Sequence, residues 1–330
     1  MRVTERQTAK KKAAHESGYS WRETNVFEQI SIKNFLNREH MGEYAEVEFD
    51  TYIDDRGKEE VQDVRLPVHY YEAGEGEPLI LVHGVGQSLY TWRNNFRELS
   101  EFFHVYAIDL PGHGFSGKPQ MSYSIEEFAL TLEAFMNVME LPSAHFCAFG
   151  ESAVYVLDFA IHNPKRTKKV VLISPMVSVG ASTGRGKGLP SALGTTAGRM
   201  MLNQAAIRAT LEDCYFDRTL VTDEVVQEYA AGLMDRDFKV ISKMCIGNFI
   251  DDGVVANVHS LKNPMLVVLG AEDKITGGSG CEFMKLPIAN GSVLTVRNCG
   301  FFVHEEKPEK VNEAVVKFCL APKQPAAGES

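Results

Sequence analysis

The chain has 330 residues, 44% apolar and 24% charged, with a formal net charge of −10, which supplies one large domain with an insertion, or two domains. The acidic balance argues against nucleic acid or an anionic membrane surface as the main partner. No apolar stretch is long enough to span a bilayer, and residues 1–25 lack the apolar core of a secretory signal. Six scattered cysteines form no CxxC and no metal-ligand spacing, which points to reduced thiols in a cytoplasmic protein rather than to disulfides or zinc.

Residues 1–43 read as an N-terminal extension: the first 40 carry eight Lys/Arg against five Asp/Glu, leaving −13 for the rest of the chain. The run Lys10-Lys11-Lys12 reads as a solvated terminus. From Tyr44 the pattern changes. Ala45–Phe49 alternates with period two, Leu66–Tyr71 is its expected partner, and Asp54–Lys58 is the expected hairpin turn. Short apolar runs then alternate with helical patterns. The runs Pro78–Val82, Phe103–Ile108, Phe146–Phe149, Val170–Ile173, Met265–Leu269 and Val293–Val296 are each bounded by Gly, Pro or Asp, as buried parallel strands are. Helices are expected over Leu89–Leu99, Ser124–Met139, Ala153–His162 and Pro308–Leu320, with Pro308 at a first helical position. Two leading strands followed by repeated strand–helix units predict a mostly parallel α/β sheet.

Residues 176–262 interrupt this rhythm with two long helical patterns, about 190–213 and 222–247. Thr222 is placed to cap the second, with Asp223 and Glu224 in its first turn. The interval reads as an inserted helical lid. Its Gly-rich entry, Gly180–Gly188, lacks the spacing of a phosphate loop and reads as a hinge. The expected organisation is therefore an extension (1–43), a core (44–175 and 263–320), a lid (176–262) and a disordered tail (321–330).

Three loops at strand ends carry the chemical signal. His83-Gly84-Val85-Gly86 follows one strand, and its glycines let backbone N–H groups approach a ligand. Asp109–Ser116 follows another. Phe149-Gly150-Glu151-Ser152-Ala153 joins a strand directly to a helix, a setting that exposes a serine nucleophile above a sheet. In that reading the N–H groups of Val85 and Ala153 form an oxyanion hole. A helix N-cap serine is the competing reading of Ser152.

These motifs, with Gly270-Ala271-Glu272-Asp273, resemble the lid-bearing, serine-nucleophile branch of the α/β-hydrolase superfamily from about Leu66 to Leu320. The resemblance implies the α/β-hydrolase fold, a mostly parallel eight-stranded sheet flanked by helices. It implies Ser152 as nucleophile, Asp273 as the triad acid and no metal or cofactor; a plain turn residue is the alternative for Asp273. Two positions depart from the family. Its elbow is small-x-Ser-x-small, yet Val154 stands two residues after Ser152. Its base lies in a Gly-His loop, and alignment on Gly300, Glu306 and Pro308 puts Phe301 in the histidine's place.

His304, three residues on, is the nearest substitute base, with a satisfied histidine beside the helix start as the alternative. His69, His83, His113 and His162 read as structural. Glu151 adjoins Ser152, and His83, Gly84, Glu151 and Phe301 are expected to line the pocket. The leading expectation is a hydrolase or acyl-transfer enzyme acting on a small apolar ester-like or carbonyl substrate. The runner-up is a catalytically impaired member that binds a small ligand, or a lyase or cyclase using the same pocket.

Overall fold

The structure is a computed structural model that describes residues 42–55, 58–177, 203–235, 237–278, 282–286, 288 and 290–322. Eight strands form one sheet: β1 (Glu43–Asp55), β2 (Lys58–Ala73), β3 (Pro78–Val82), β4 (His104–Ile108), β5 (Ala144–Phe149), β6 (Thr167–Ile173), β7 (Met265–Gly270) and β8 (Gly291–Val296). Their order is β1-β2-β4-β3-β5-β6-β7-β8. β2 runs antiparallel to β1 and β4, and every pairing from β4 to β8 is parallel. The expected mostly parallel α/β sheet is the fold observed.

Ala45, Val47 and Phe49 on β1 are buried while the residues between them face outward, as the alternation requires. The strands pair down to Asp55 and Lys58; Arg56 and Gly57 of the expected turn lie outside the described residues. β3, β5, β6 and β7 are covered on both faces, which is why they read as continuous apolar runs. β8 corrects its expectation. As an edge strand it is largely exposed, and Val293 is 47% exposed.

Helix α1 (Ile125–Val138) begins with a reciprocal cap: Ser124 Oγ accepts from Glu127 N, and the Glu127 carboxylate accepts from Ser124 N. Glu127 also accepts from Thr51 Oγ1, tying the helix to β1. The helix α2 (Ser152–His162) leaves β5 after only two residues. The pattern over Leu89–Leu99 forms two short turns, Leu89–Trp92 and Phe96–Leu99, rather than one helix.

Between β6 and β7 lie α3 (Gln204–Cys214), α4 (Asp223–Leu233), α5 (Phe238–Gly247) and the short α6 (Asp252–Asn257). Thr222 Oγ1 accepts from Val225 N and caps α4 as expected. The long pattern 222–247 is split, because the Asp235 carboxylate accepts from the N–H groups of Asp237 and Phe238 and starts a new helix. The Gly-rich entry, the pattern before residue 203, the N-terminal extension up to residue 41 and the tail from 323 lie outside the described residues. The last helix, α7 (Pro308–Leu320), has Pro308 in its first turn, as the sequence predicts. Cys147, Cys214, Cys245, Cys299 and Cys319 are free and buried. No helix among the described residues is long and apolar enough to cross a membrane.

Candidate active site

The carboxyl ends of β3, β4, β5 and β7 bring the expected loops to one edge of the sheet. His83 organises two of them. Its Nδ1 lies 2.8 Å from Gly84 O and its Nε2 accepts from Leu110 N at 3.0 Å, so both ring nitrogens are committed to backbone. Burial holds its pKa below the usual histidine value. His113 Nδ1 is likewise engaged, with Pro111 O at 2.9 Å. Asp109 accepts from Leu89 N, Phe115 N and His69 Nδ1 and so shapes the β4 loop. These hydrogen bonds fix the shape of the loops after β3 and β4.

The turn after β5 differs from expectation by two residues. Gly150 has φ +64° and is the left-handed residue of the strand-to-helix turn. Glu151, with φ −68° and ψ −30°, is already helical, and Ser152 opens α2. The Ser152 hydroxyl is fully buried and points back into the sheet. Its Oγ lies 2.9 Å from both Val82 O and Phe149 O and accepts from Phe149 N at 3.1 Å. It pins the first turn of α2 to β3 and β5 and is not presented above the sheet. The Ala153 N–H is also occupied, donating to Gly150 O at 3.3 Å, so it does not serve as an oxyanion donor.

In an elbow of this kind, the residue on the strained turn presents the nucleophile, and the N–H of the next residue faces the oxyanion. Those two positions are Gly150 and Glu151. Phe301 faces the first: a Cβ built on Gly150 would lie 3.6 Å from the tip of its ring. The register also removes the misfit at Val154, because the small residues flanking the turn become Ala148 and Ser152. That misfit was the sequence signal that the elbow centres on Gly150.

The Glu151 carboxylate faces the N–H groups of Val85 and of Glu151 itself, both of which favour its charged form. Burial outweighs them and pushes its pKa up to about 7. A Cβ on Gly84 would fall 2.6 Å from Glu151 Oε2, so only glycine leaves room for the carboxylate there.

Ser152, Asp273 and His304 each have other partners, and no relay joins them. Asp273 Oδ1 accepts from Ile275 N at 2.7 Å and Thr276 N at 3.1 Å, and its other oxygen takes the Thr276 hydroxyl. It closes its own turn, the alternative role for that position. His304 is fully buried, its ring tilted against the Trp92 ring at 4.6 Å and the Phe149 ring at 4.5 Å. Its Nε2 lies 2.7 Å from Thr91 Oγ1, and burial pushes its pKa down to about 4.

A polar cluster around Glu305 was not visible in the sequence. Glu305 is buried and receives Thr91 Oγ1 at 2.6 Å, Tyr229 OH at 2.5 Å, Arg93 at 2.5 Å and the Tyr215 hydroxyl. Burial opposes its charge, but Arg93, with His304 and the Thr91 hydroxyl, holds its pKa below the usual range. Tyr215 follows α3 and Tyr229 belongs to α4, so the cluster fastens the insertion to the core. Glu306 adds to this by accepting from Gly300 N, Phe216 N and Asp217 N. Phe301 N donates to Cys214 O at 2.8 Å. Phe149, Phe301, Phe302, Tyr215 and Tyr229 pack their rings above the turn. Among the described residues no group of three or more His, Cys, Asp or Glu is placed to hold a metal ion.

A family model described as serine aminopeptidase, S33, matches residues 77–285, more than half of the chain. The chain belongs to this family of α/β-hydrolases. A haloalkane dehalogenase from Agrobacterium fabrum is 31% identical over 34% of this chain and 37% of its own length. A 2-hydroxy-6-oxononadienedioate/2-hydroxy-6-oxononatrienedioate hydrolase from Comamonas testosteroni is 28% identical over 76% of this chain and 90% of the relative. A solved meta-cleavage product hydrolase from Pseudomonas fluorescens IP01 superposes with a TM-score of 0.66. It is 23% identical and covers 81% of this chain and 96% of its own, and it shares the fold. This α/β-hydrolase keeps the family's frame, with Gly150 on the strained turn and a phenylalanine across from it.

Proposed function

We propose that this α/β-hydrolase binds a small apolar carbonyl compound without forming a covalent bond to it, with protonated Glu151 donating a hydrogen bond to the carbonyl oxygen. Gly150 on the turn, opposed by the Phe301 ring, carries the reading: the position that would attack has no side chain, and the position that would act as base has no nitrogen. A buried carboxyl that keeps its proton near neutral pH can donate a hydrogen bond where an oxyanion would otherwise be held by backbone alone. The aromatic walls suit an apolar ligand, and the helical insertion acts as the lid over it. The buried free thiols fit a reducing compartment.

On this reading a fluorophosphonate probe leaves no adduct on the protein by intact mass. Ser152→Ala does not alter turnover of any substrate found, although it costs about 1–3 kcal/mol of stability as its backbone partners lose the hydroxyl. A Ser152 adduct that the alanine variant abolishes would instead make the chain a serine hydrolase.

A second reading keeps hydrolysis, the reaction named for the Comamonas relative. Ionised Glu151 would activate a water against the same carbonyl. The two separate by pH: turnover that needs the protonated acid falls as pH rises through about 7, and turnover that needs the carboxylate rises.

Stability reports the same group. Folding raises the Glu151 pKa from 4.5 to about 7, so over that interval the folded chain keeps a proton that the unfolded chain has lost. Its contribution is therefore fully present below pH 4.5 and is lost by pH 7, a fall of about 3 kcal/mol. Glu151→Gln removes this dependence. Its stability relative to the parent is expected to rise by about that amount between pH 4 and pH 8 in urea titrations. An unchanged difference at the two pH values would place the carboxyl in water.

A further inference from the structure

A second carboxylate close to this pocket has no role in the reading above. Glu228, on α4, is 4% exposed, and neither of its carboxylate oxygens has a hydrogen-bond partner. Burial, with Glu224 one turn earlier, pushes its pKa up to about 7 despite nearby Arg93. A buried carboxylate with empty acceptor sites is costly unless a donor meets it. It lines a narrow recess between α4 and the loop after β3, whose interior has space for about one water-sized group, the size of an ammonium head. Gly86, Gln87, Ser88, Tyr90, Thr91, Tyr229 and Gly232 form the rest of the wall.

Charge and shape in the recess favour a cation. Arg93 is neutralised by Glu305 at 2.5 Å, so above about pH 7, where Glu228 ionises, Glu228 and Glu224 leave the surroundings net negative. The Tyr90 and Tyr229 rings meet edge to face, with centroids 6.2 Å apart and planes at 86°. Arg93 already lies 4.3 Å over the Tyr90 ring, showing that this ring accepts a cation. No cluster of three metal-ligating side chains is present among the described residues, so one carboxylate and hydroxyl-bearing walls suit an organic ammonium better than a divalent ion.

We propose that this recess is a binding site for a small primary ammonium group, held by the Glu228 carboxylate against the Tyr90 and Tyr229 rings. The Gln87 side chain accepts from Gly84 N at 3.1 Å and so connects the recess to the loop beside Glu151. The ammonium site itself does not depend on the role of Glu151.

The test is titration of the full chain with methylammonium chloride, followed by the amide resonances of Gly86, Ser88 and Gly232. Sodium chloride at equal ionic strength and the isosteric methanol serve as controls. Saturable shifts with a Kd of about 5–50 mM are expected for methylammonium alone. Glu228→Gln should weaken that Kd at least about tenfold. Gly232→Leu supplies an independent variant: a Cβ there meets nothing within 4 Å, so the leucine fills the recess while leaving the carboxylate in place. It should abolish the shifts with the fold retained. Glu151→Gln should bind methylammonium within about twofold of the parent, separating this site from the role of Glu151. Shifts that do not saturate, that sodium or methanol reproduces, or that survive in both Glu228→Gln and Gly232→Leu would overturn the proposal.

Discussion

A chain carrying Gly150→Ser, Glu151→Ala and Phe301→His together is expected to hydrolyse 4-nitrophenyl acetate at least about 10²-fold faster than the parent. Each change supplies one missing part. Serine at 150 stands on the strained turn, where its Cβ has ordinary contact distance to residue 301. The strain of a non-glycine residue at φ +64° costs about 1–3 kcal/mol. Histidine at 301 supplies the base, and alanine at 151 frees the Val85 and residue 151 N–H groups for an oxyanion. The single changes should each stay within about threefold of the parent, because a nucleophile without a base and a base without a nucleophile are both nearly inert. Initial rates and fluorophosphonate labelling of the parent and the four variants decide the matter. A large gain from Phe301→His alone would show that Ser152 is the nucleophile, and the register centred on Gly150 would then be wrong.

The largest loss of stability is expected at Glu305. Glu305→Leu leaves the Arg93 guanidinium unpaired and the hydroxyls of Thr91, Tyr215 and Tyr229 without their common acceptor. Breaking a buried pair from one side costs about 3–5 kcal/mol, which urea unfolding should read directly. Arg93→Met combined with Glu305→Leu should lose less than the sum of the single changes, since the stranded charge is gone. Because two of the donors come from the insertion, Glu305→Leu should also expose the α3–α4 segment to limited proteolysis before the sheet unfolds. A loss below about 1 kcal/mol would mean that the insertion is held by its apolar contacts alone.

Much of the frame was legible because its signals are local. The period-two alternation of Ala45–Phe49, the continuous apolar runs of β3 to β7, the Ser124 and Thr222 caps and Pro308 at the start of α7 each follow from a few neighbouring residues. Where the expectation depended on position within the whole, it slipped. β8 carries an apolar run but lies at the sheet's edge, and the pattern 222–247 breaks where the Asp235 side chain caps a second helix.

The site divides the same way. Local sequence marked the three strand-end loops that carry the chemical signal and the misfit of Val154 in an elbow centred on Ser152. Tertiary structure decided which residue of Gly150-Glu151-Ser152 takes the left-handed turn, a choice made by where β5 ends and by Ser152 Oγ reaching Val82 O on the neighbouring strand. It also decided that His304 turns toward Thr91 and that Glu305 gathers donors from residues 76 to 214 positions away in the chain. Backbone direction and burial can be read from residues close together in sequence. A carboxylate's partners, and therefore its charge, depend on what the rest of the fold brings to it.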